Sequence, residues 1–412
     1  MLNKSHSIYA ILSLSAASLS FYKLGYLANS LSSESFGMYS LIILSYVYIV
    51  YIGSMGGNEY MLKTGAVIDS SNKELLFVTR NNALIYGIFG IAVISLIVIV
   101  FVNYFLEIHY EKISYTIVAL ALVTYPYNVF ESYFRSQLKI IVSSAMLFAK
   151  SFFVLIGMYF LLEKYGLFGA IISEIVSLLI IITFFLLKDC NSFLQTRLER
   201  PKDALFRIFF NGFSVCMSNM FRNIALASDR YAVAIIFGLH YFGVYSFVMI
   251  VYQGAILFSS IITNVIGPRL IKYHDERKSN KDLAFILAKL LILSFAFSLI
   301  SFPAYMYFTP VIILNYFQQY NNSEVHLALN LVYWSSFASF CVFLLDWFFV
   351  CISKERVLSF LSIFSLALTF VSFVFFKYFD FDFIFFVVFF LLSKLIVLFI
   401  MIHMTYSLRE AG

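Results

Sequence analysis

Ten ionisable side chains sit inside stretches that are otherwise apolar. Six are cations (Lys23, Lys150, Arg222, Arg230, Lys289 and Lys394) and four are acids (Glu131, Glu174, Asp229 and Asp346). A cation at the centre of a lipid-facing helix costs about 2.5–3.5 kcal/mol on the insertion scale. Several at depth are therefore expected to face a shared wet cavity or paired acids. The cations outnumber the acids, so a cavity holding both carries surplus positive charge and attracts an anion. Not all ten have equal claim. Glu131 lies one turn before Arg135, an i,i+4 pair that can serve its own helix alone. Lys289 and Lys394 lie near the ends of their runs, where snorkelling to the interface also accounts for them. Arg222 and Asp229 are seven residues apart and share a helix face. Arg230 points elsewhere and is expected to anchor at the outer interface or join the cavity cations. Asp229, Glu174 and Asp346 are the candidates for gating or ion coupling, against the plainer reading of carboxylates hydrogen-bonded within a helix bundle.

Other chemistries lack their residues. No Gly-Lys dipeptide occurs, which removes the phosphate-binding loop of an ATP engine. There is no HExxH, no GxSxG and no Cys/His metal spacing, so neither a metal nor a cofactor is expected. Cys190, Cys216, Cys341 and Cys351 form no CxxC and read as small packing residues. The six histidines fall near the ends of apolar runs, which speaks against a mid-membrane histidine relay.

The elements that must hold these charges are membrane helices. Hydrophobic residues make up 62% of the 412-residue chain and charged residues 12%, against roughly 25% charged in a soluble domain. Hydropathy gives twelve spans: 8–28, 37–57, 83–105, 113–134, 140–162, 167–187, 208–230, 241–264, 285–308, 326–350, 357–376 and 383–405. At about 20 residues each they leave no room for a large extramembrane domain. The run after Lys4 is too long for a cleaved signal and has no small-residue cleavage site, so it reads as the first span. Pro126 and Pro303 fall inside spans and are expected to bend them. Net charge is +6, but the basic residues lie in short loops, an orientation signal rather than a nucleic-acid footprint. Nineteen Lys and Arg residues fall on the side of the N-terminus, and only Lys112, Lys164 and Lys377 on the other. Both termini are thus expected in the cytoplasm.

The chain repeats at about half its length. FGMYS at 36–40 returns as FGVYS at 242–246, 206 positions on, and each copy stands between two apolar runs. The expectation is an all-α, polytopic protein with twelve transmembrane helices in two pseudo-symmetric six-helix lobes around a central cavity. The lobes are drawn at 1–190 and 208–412. The basic segment 191–207 joins them, either as an amphipathic helix on the cytoplasmic membrane surface or as a solvated linker. Under the repeat offset Lys23 falls on Asp229. If the lobes face one another, that pair is a candidate gate: closed when paired, open when a phosphate takes the lysine.

Several segments carry a family resemblance. Residues 28–41 (ANSLSSESFGMYSL) resemble the first extracytoplasmic turn of the polysaccharide flippases in the multidrug/oligosaccharidyl-lipid/polysaccharide (MOP) exporter superfamily. Asp229 and Arg230, the turn at 243–246 and Pro268 resemble the pattern of that family's second half. Residues 165–174 (YGLFGAIISE) resemble the start of its sixth span. Many relatives place Ala-Arg where this chain has Ala28 and Asn29, so that arginine's role does not carry over. The resemblance implies a MATE-like architecture and a Wzx-type O-antigen flippase of a bacterial inner membrane. It implies a lipid-linked substrate, an oligosaccharide on undecaprenyl pyrophosphate, moved to the periplasmic leaflet. It further implies H+ or Na+ as a coupling ion and a polysaccharide polymerase complex as a partner in lipopolysaccharide biosynthesis. Cavity cations suit the pyrophosphate, and Tyr, Asn and Gln side chains suit the sugars.

Two other readings compete. A MATE-like multidrug or ion antiporter of the same fold is favoured by intramembrane acid, and the excess here runs the other way. An integral membrane polysaccharide polymerase needs a large periplasmic loop, and the longest candidate, 309–325, is short.

Overall fold

The computed structural model describes residues 4–68, 72–105, 111–188, 200–277, 279–352, 354, 356–379 and 381–409. Among them every regular element is a helix. The elements run α1 (Lys4–Ser30), α2 (Ser33–Ser54), α3 (Gly57–Val67), α4 (Lys73–Phe105), α5 (Glu111–Ser136), α6 (Ile140–Tyr165) and α7 (Leu167–Lys188). They continue with α8 (Pro201–Ile208), a π-helical turn (Phe209–Phe213), α9 (Ser214–Arg277) and α10 (Asn280–Tyr316). After a 3-10 turn (Gln318–Tyr320) come α11 (Ser323–Cys351), α12 (Arg356–Phe379) and α13 (Phe383–Arg409). Eleven of the described helical stretches are long and apolar enough to cross a bilayer, which makes this a multi-pass membrane protein.

Twelve spans were expected, and the difference arises in α9. The expected spans 208–230 and 241–264 run together in this 64-residue element, which breaks at Gly238, where φ is 81° and ψ 179°. Only glycine visits that region readily, and the break falls inside the expected connection 231–240. Pro126 lies inside α5, and Pro303 and Pro310 inside α10. The helix α10 runs on to Tyr316, so most of the expected loop 309–325 is helical.

The chain divides into two compact units. One comprises Met1–Leu31 and Met38–Asn223, the other Ser32–Gly37 and Ile224–Gly412. The division falls at 223/224 rather than in the expected linker 191–207, of which 191–199 lie outside the described residues. The reason is that the start of α9 belongs to the first unit. There Asn223 donates to Tyr51 Oη at 2.8 Å, and Gly212 lies so close to Gly56 that a β-carbon on it would strike the Gly56 carbonyl. Residues 201–208 form the helix α8, which begins at Pro201, a residue suited to a first helical turn.

Within the first unit α1 packs along α6, and α4, α5 and α7 enclose a core containing Tyr125, Phe130, Phe134 and Phe185. The short helix α3 enters this core after Met55 and Gly56, both with positive φ. It buries Tyr60 and Met61. The second unit has its own core of Leu283, Leu287, Leu345, Phe348 and Phe349 where α10, α11 and α13 meet. Here the repeated motif shows its purpose. A β-carbon on Gly37 would meet the Leu239 carbonyl and the Gly243 backbone, and one on Gly243 would meet the Ser33 carbonyl. The two FGxYS glycines therefore let α2 and α9 touch backbone to backbone, as small residues do in membrane helix crossings.

Candidate functional site

In the first unit, serines on α1 and α6 meet between the helices. Ser13 donates to Ser144 at 3.3 Å, and the Ser20 and Ser151 hydroxyls are 3.0 Å apart. This close seam places Lys23 deep on α1, where its Nζ lies 2.6 Å from Glu174 Oε1 on α7. The side chains are 17% and 6% exposed. Tyr39 Oη on α2 donates to the same carboxylate oxygen at 2.8 Å. Lys150 on α6 stands 5.4 Å above the Tyr127 ring. It acts electrostatically on both Glu174 and Glu131. Glu131 also meets Arg135 at 3.8 Å, the local pair its spacing suggested.

In the second unit, Asp229 is buried in the first arm of α9, and its Oδ2 accepts from Tyr245 Oη at 2.6 Å. The neighbouring Arg230 faces Gln253. With the amide oxygen turned toward the guanidinium, it accepts from both terminal nitrogens at 3.0 and 2.9 Å. Lys394 on α13 lies 4.9 Å from the Phe390 ring centre, and Lys289 on α10, exposed, lies 4.4 Å from Phe285. Asp346 is half-buried on α11. Arg222 lies in α9, with its side chain outside the described residues. Among the described residues no carboxylate lies within 4.0 Å of Lys150, Arg230, Lys289 or Lys394. These four cations rest on aromatic faces or an amide instead. Such contacts hold a positive charge without neutralising it.

The structure thus gathers Lys23, Lys150, Glu131 and Glu174 in one unit and Asp229 with Arg230 in the other. Three features escaped the sequence reading. Tyr39 and Tyr245 are the tyrosines of the two FGxYS copies, and each donates to a buried carboxylate. The motif was visible; the destination of its hydroxyl was not. Arg80, counted among loop cations, is fully buried on α4, with its guanidinium about 5 Å from the rings of Phe77, Phe130 and Tyr133. Glu59 on α3 has a buried Oε2 with no hydrogen-bond partner and a distant Asn219 amide, 3.5 Å away, at Oε1. Burial holds its carboxyl above the usual range.

The whole course of the helices can be compared with solved structures. One, an inward-facing conformation of a multidrug resistance MATE family transporter of the MOP superfamily, superposes with a TM-score of 0.71 over 95% of this chain and 94% of that one. The fold is that of the MOP superfamily transporters. Sequence identity over that match is 12%. An outward-facing conformation of a multidrug resistance MATE family transporter gives a TM-score of 0.60 at 12% identity, covering 98% of this chain and 94% of that one. A MOP superfamily transporter from Pyrococcus furiosus, described as having a binding pocket of reverse polarity that suggests a different function, gives 0.59 at 13% identity and the same coverage. No protein-family model and no curated protein sequence matches the chain.

Proposed function

We propose that this protein is a membrane transporter, not an enzyme, that flips an anionic lipid-linked oligosaccharide across a bacterial inner membrane. Its head group would be the pyrophosphate-linked saccharide of an O-antigen repeat unit on undecaprenol. The observation that carries this reading is the set of intramembrane cations that have no carboxylate within 4.0 Å among the described residues. Lys150 and Arg230 are half-buried, and each rests on a neutral group. A charge kept in a low-dielectric setting without a carboxylate in direct contact is matched by an anion arriving with the ligand. Lys23 contributes differently: already paired with Glu174, it fixes α1 to α7.

The rival reading is a MATE-like multidrug or ion antiporter, favoured by the multidrug transporters that share the fold and by the balanced Lys23–Glu174 pair. Pocket polarity is what separates the two. The test is reconstitution into liposomes with a fluorescent undecaprenyl-pyrophosphate oligosaccharide and, separately, a lipophilic organic cation. The reading predicts movement of the oligosaccharide between leaflets and none of the cation; the converse would establish the antiporter.

A further inference from the structure

Glu59 is an acid that the proposed transport leaves unused. It stands on α3, the short helix that follows the left-handed residues Met55 and Gly56. Its Oε2 is buried without a hydrogen-bond partner, and so is Oδ1 of the neighbouring Asn58. The Asn219 amide reaches Oε1 only at 3.5 Å. Asn219 belongs to a polar seam at the start of α9, where Cys216, Asn219 and Asn223 recur at three- and four-residue steps on one face. Cys216 Sγ donates to the Tyr51 carbonyl at 3.4 Å, and Asn223 Nδ2 donates to Tyr51 Oη at 2.8 Å. The seam thus joins the start of α9 to α2 and α3 within the first unit, and at 223/224 the same helix passes into the second.

A carboxylate oxygen sealed from water and without a donor is a poor place for charge. Burial is the largest influence on Glu59 and holds its carboxyl above the usual range. Its own backbone N–H and the Asn219 amide favour the charged form but do not outweigh burial. Among the described residues no cation offsets that cost. Lys63, one turn along α3, is exposed and more than 4.0 Å from it. On α4, Arg80 rests among the rings of Phe77, Phe130 and Tyr133. Tyr125 of α5 and the Cys216 thiol lie within electrostatic reach of Glu59, and both types of group are uncharged at neutral pH. On α8, Lys202, Asp203 and Arg207 are exposed. Arg222 follows Asn219 by one turn, with its side chain outside the described residues.

We propose that Glu59 is a proton-operated latch: while its carboxyl is neutral α3 stays docked on the start of α9, and loss of the proton to water draws the carboxylate, and α3 with it, out of the seam. The sign follows from which form is buried. A group that binds its proton more tightly when docked holds the latch shut at low pH. The docked state weakens as pH climbs from the ordinary glutamate value, about 4.3, through the raised one, and above that the opening levels off. The latch acts on the helix that joins the two units and is independent of what the protein carries.

The test uses the full-length protein in nanodiscs. With Cys190→Ala, Cys341→Ala and Cys351→Ala, the buried Cys216 is the one remaining thiol. Its rate of alkylation by N-ethylmaleimide is measured from about pH 5 to about pH 8, with Glu59 intact and with Glu59→Gln. Thiol ionisation steepens both rates alike, so their ratio isolates the carboxyl. The ratio, intact over variant, is expected to climb about twofold or more across this range. A negative charge on Glu59 would by itself suppress the neighbouring thiolate, so a climb reports opening. If the triple cysteine background fails to fold, amide hydrogen exchange of residues 57–67 in the chain with all its cysteines decides the question. Corrected for the intrinsic pH dependence of exchange, α3 is expected to open more as pH rises in wild type and to show no such rise in Glu59→Gln. A flat or falling alkylation ratio, or α3 exchange that follows pH equally in both proteins, overturns the latch.

Discussion

Replacing Glu174 by Ala strands two donors at once, the Lys23 ammonium 2.6 Å away and the Tyr39 hydroxyl 2.8 Å away. Removing one partner of a buried ion pair costs about 3–5 kcal/mol. Lys23 keeps 17% of its side chain exposed and can recruit water, which places the loss near the lower end, about 3 kcal/mol. Glu174→Gln keeps an acceptor for both donors and gives up only the charge, a smaller loss of about 1.5–3 kcal/mol. Lys23→Met strands the carboxylate, which is only 6% exposed and holds one remaining donor in Tyr39, so its cost is at least as large as that of Glu174→Gln. The double variant Lys23→Met with Glu174→Leu carries no buried charge at this site. It is expected within about 1 kcal/mol of wild type; with a loss of about 3 kcal/mol for Glu174→Leu alone and at least about 1.5 kcal/mol for Lys23→Met alone, the coupling energy is about 3.5 kcal/mol or more. Denaturant titration of the purified protein in detergent, read by loss of helical circular dichroism, measures the four corners of the cycle. Single variants that each lose under about 1 kcal/mol and add without coupling would refute the reasoning, because the pair would then be solvated rather than a clamp between α1 and α7.

Three further outcomes follow from the same contacts. Tyr245→Phe leaves Asp229 buried without its donor and lowers stability by about 1–3 kcal/mol, checked by the same titration. Gly243→Ala drives a β-carbon into the Ser33 carbonyl, backbone that cannot rotate away. It is expected to cost about 1–3 kcal/mol by overpacking, seen as a lower melting temperature. Glu59→Gln tests the sign of a titration. A carboxyl held above its usual range binds its proton more tightly when folded, so stability falls as pH rises past the ordinary glutamate value, about 4.3. The variant should melt higher than wild type at neutral pH and equally at acid pH; a lower melting point at neutral pH would show that the charged form is the one favoured.

The spans were legible because lipid demands some twenty apolar residues in a row, and hydropathy reads that demand directly. The break at Gly238 falls inside the connection 231–240 that separates two of the expected spans. The cations at depth were legible as anomalies, but not their partners. Lys23 and Glu174 are 151 positions apart, and only the packing of α1 and α7 brings them together. The repeat offset paired Lys23 with Asp229 instead, because it compares positions and carries no record of which acid lies nearest. Arg80 and Glu59 stand beside expected span ends, where polar residues read as loop. Glu59 follows the left-handed residues Met55 and Gly56, which turn α3 back into the first unit, and Arg80 is buried against Phe77 of its own helix and Phe130 and Tyr133 of α5.

The central claim is that intramembrane cations resting on neutral partners draw an anionic head group. It is tested most directly by calorimetric titration of the nanodisc-embedded protein with a short-chain pyrophosphate-linked saccharide. The account predicts saturable binding that weakens with added salt and falls about tenfold or more in Lys150→Gln and in Arg230→Gln, each of which removes one cation that no carboxylate contacts among the described residues. Binding that is indifferent to salt and to both substitutions, or a preference for an organic cation over the pyrophosphate, would contradict it.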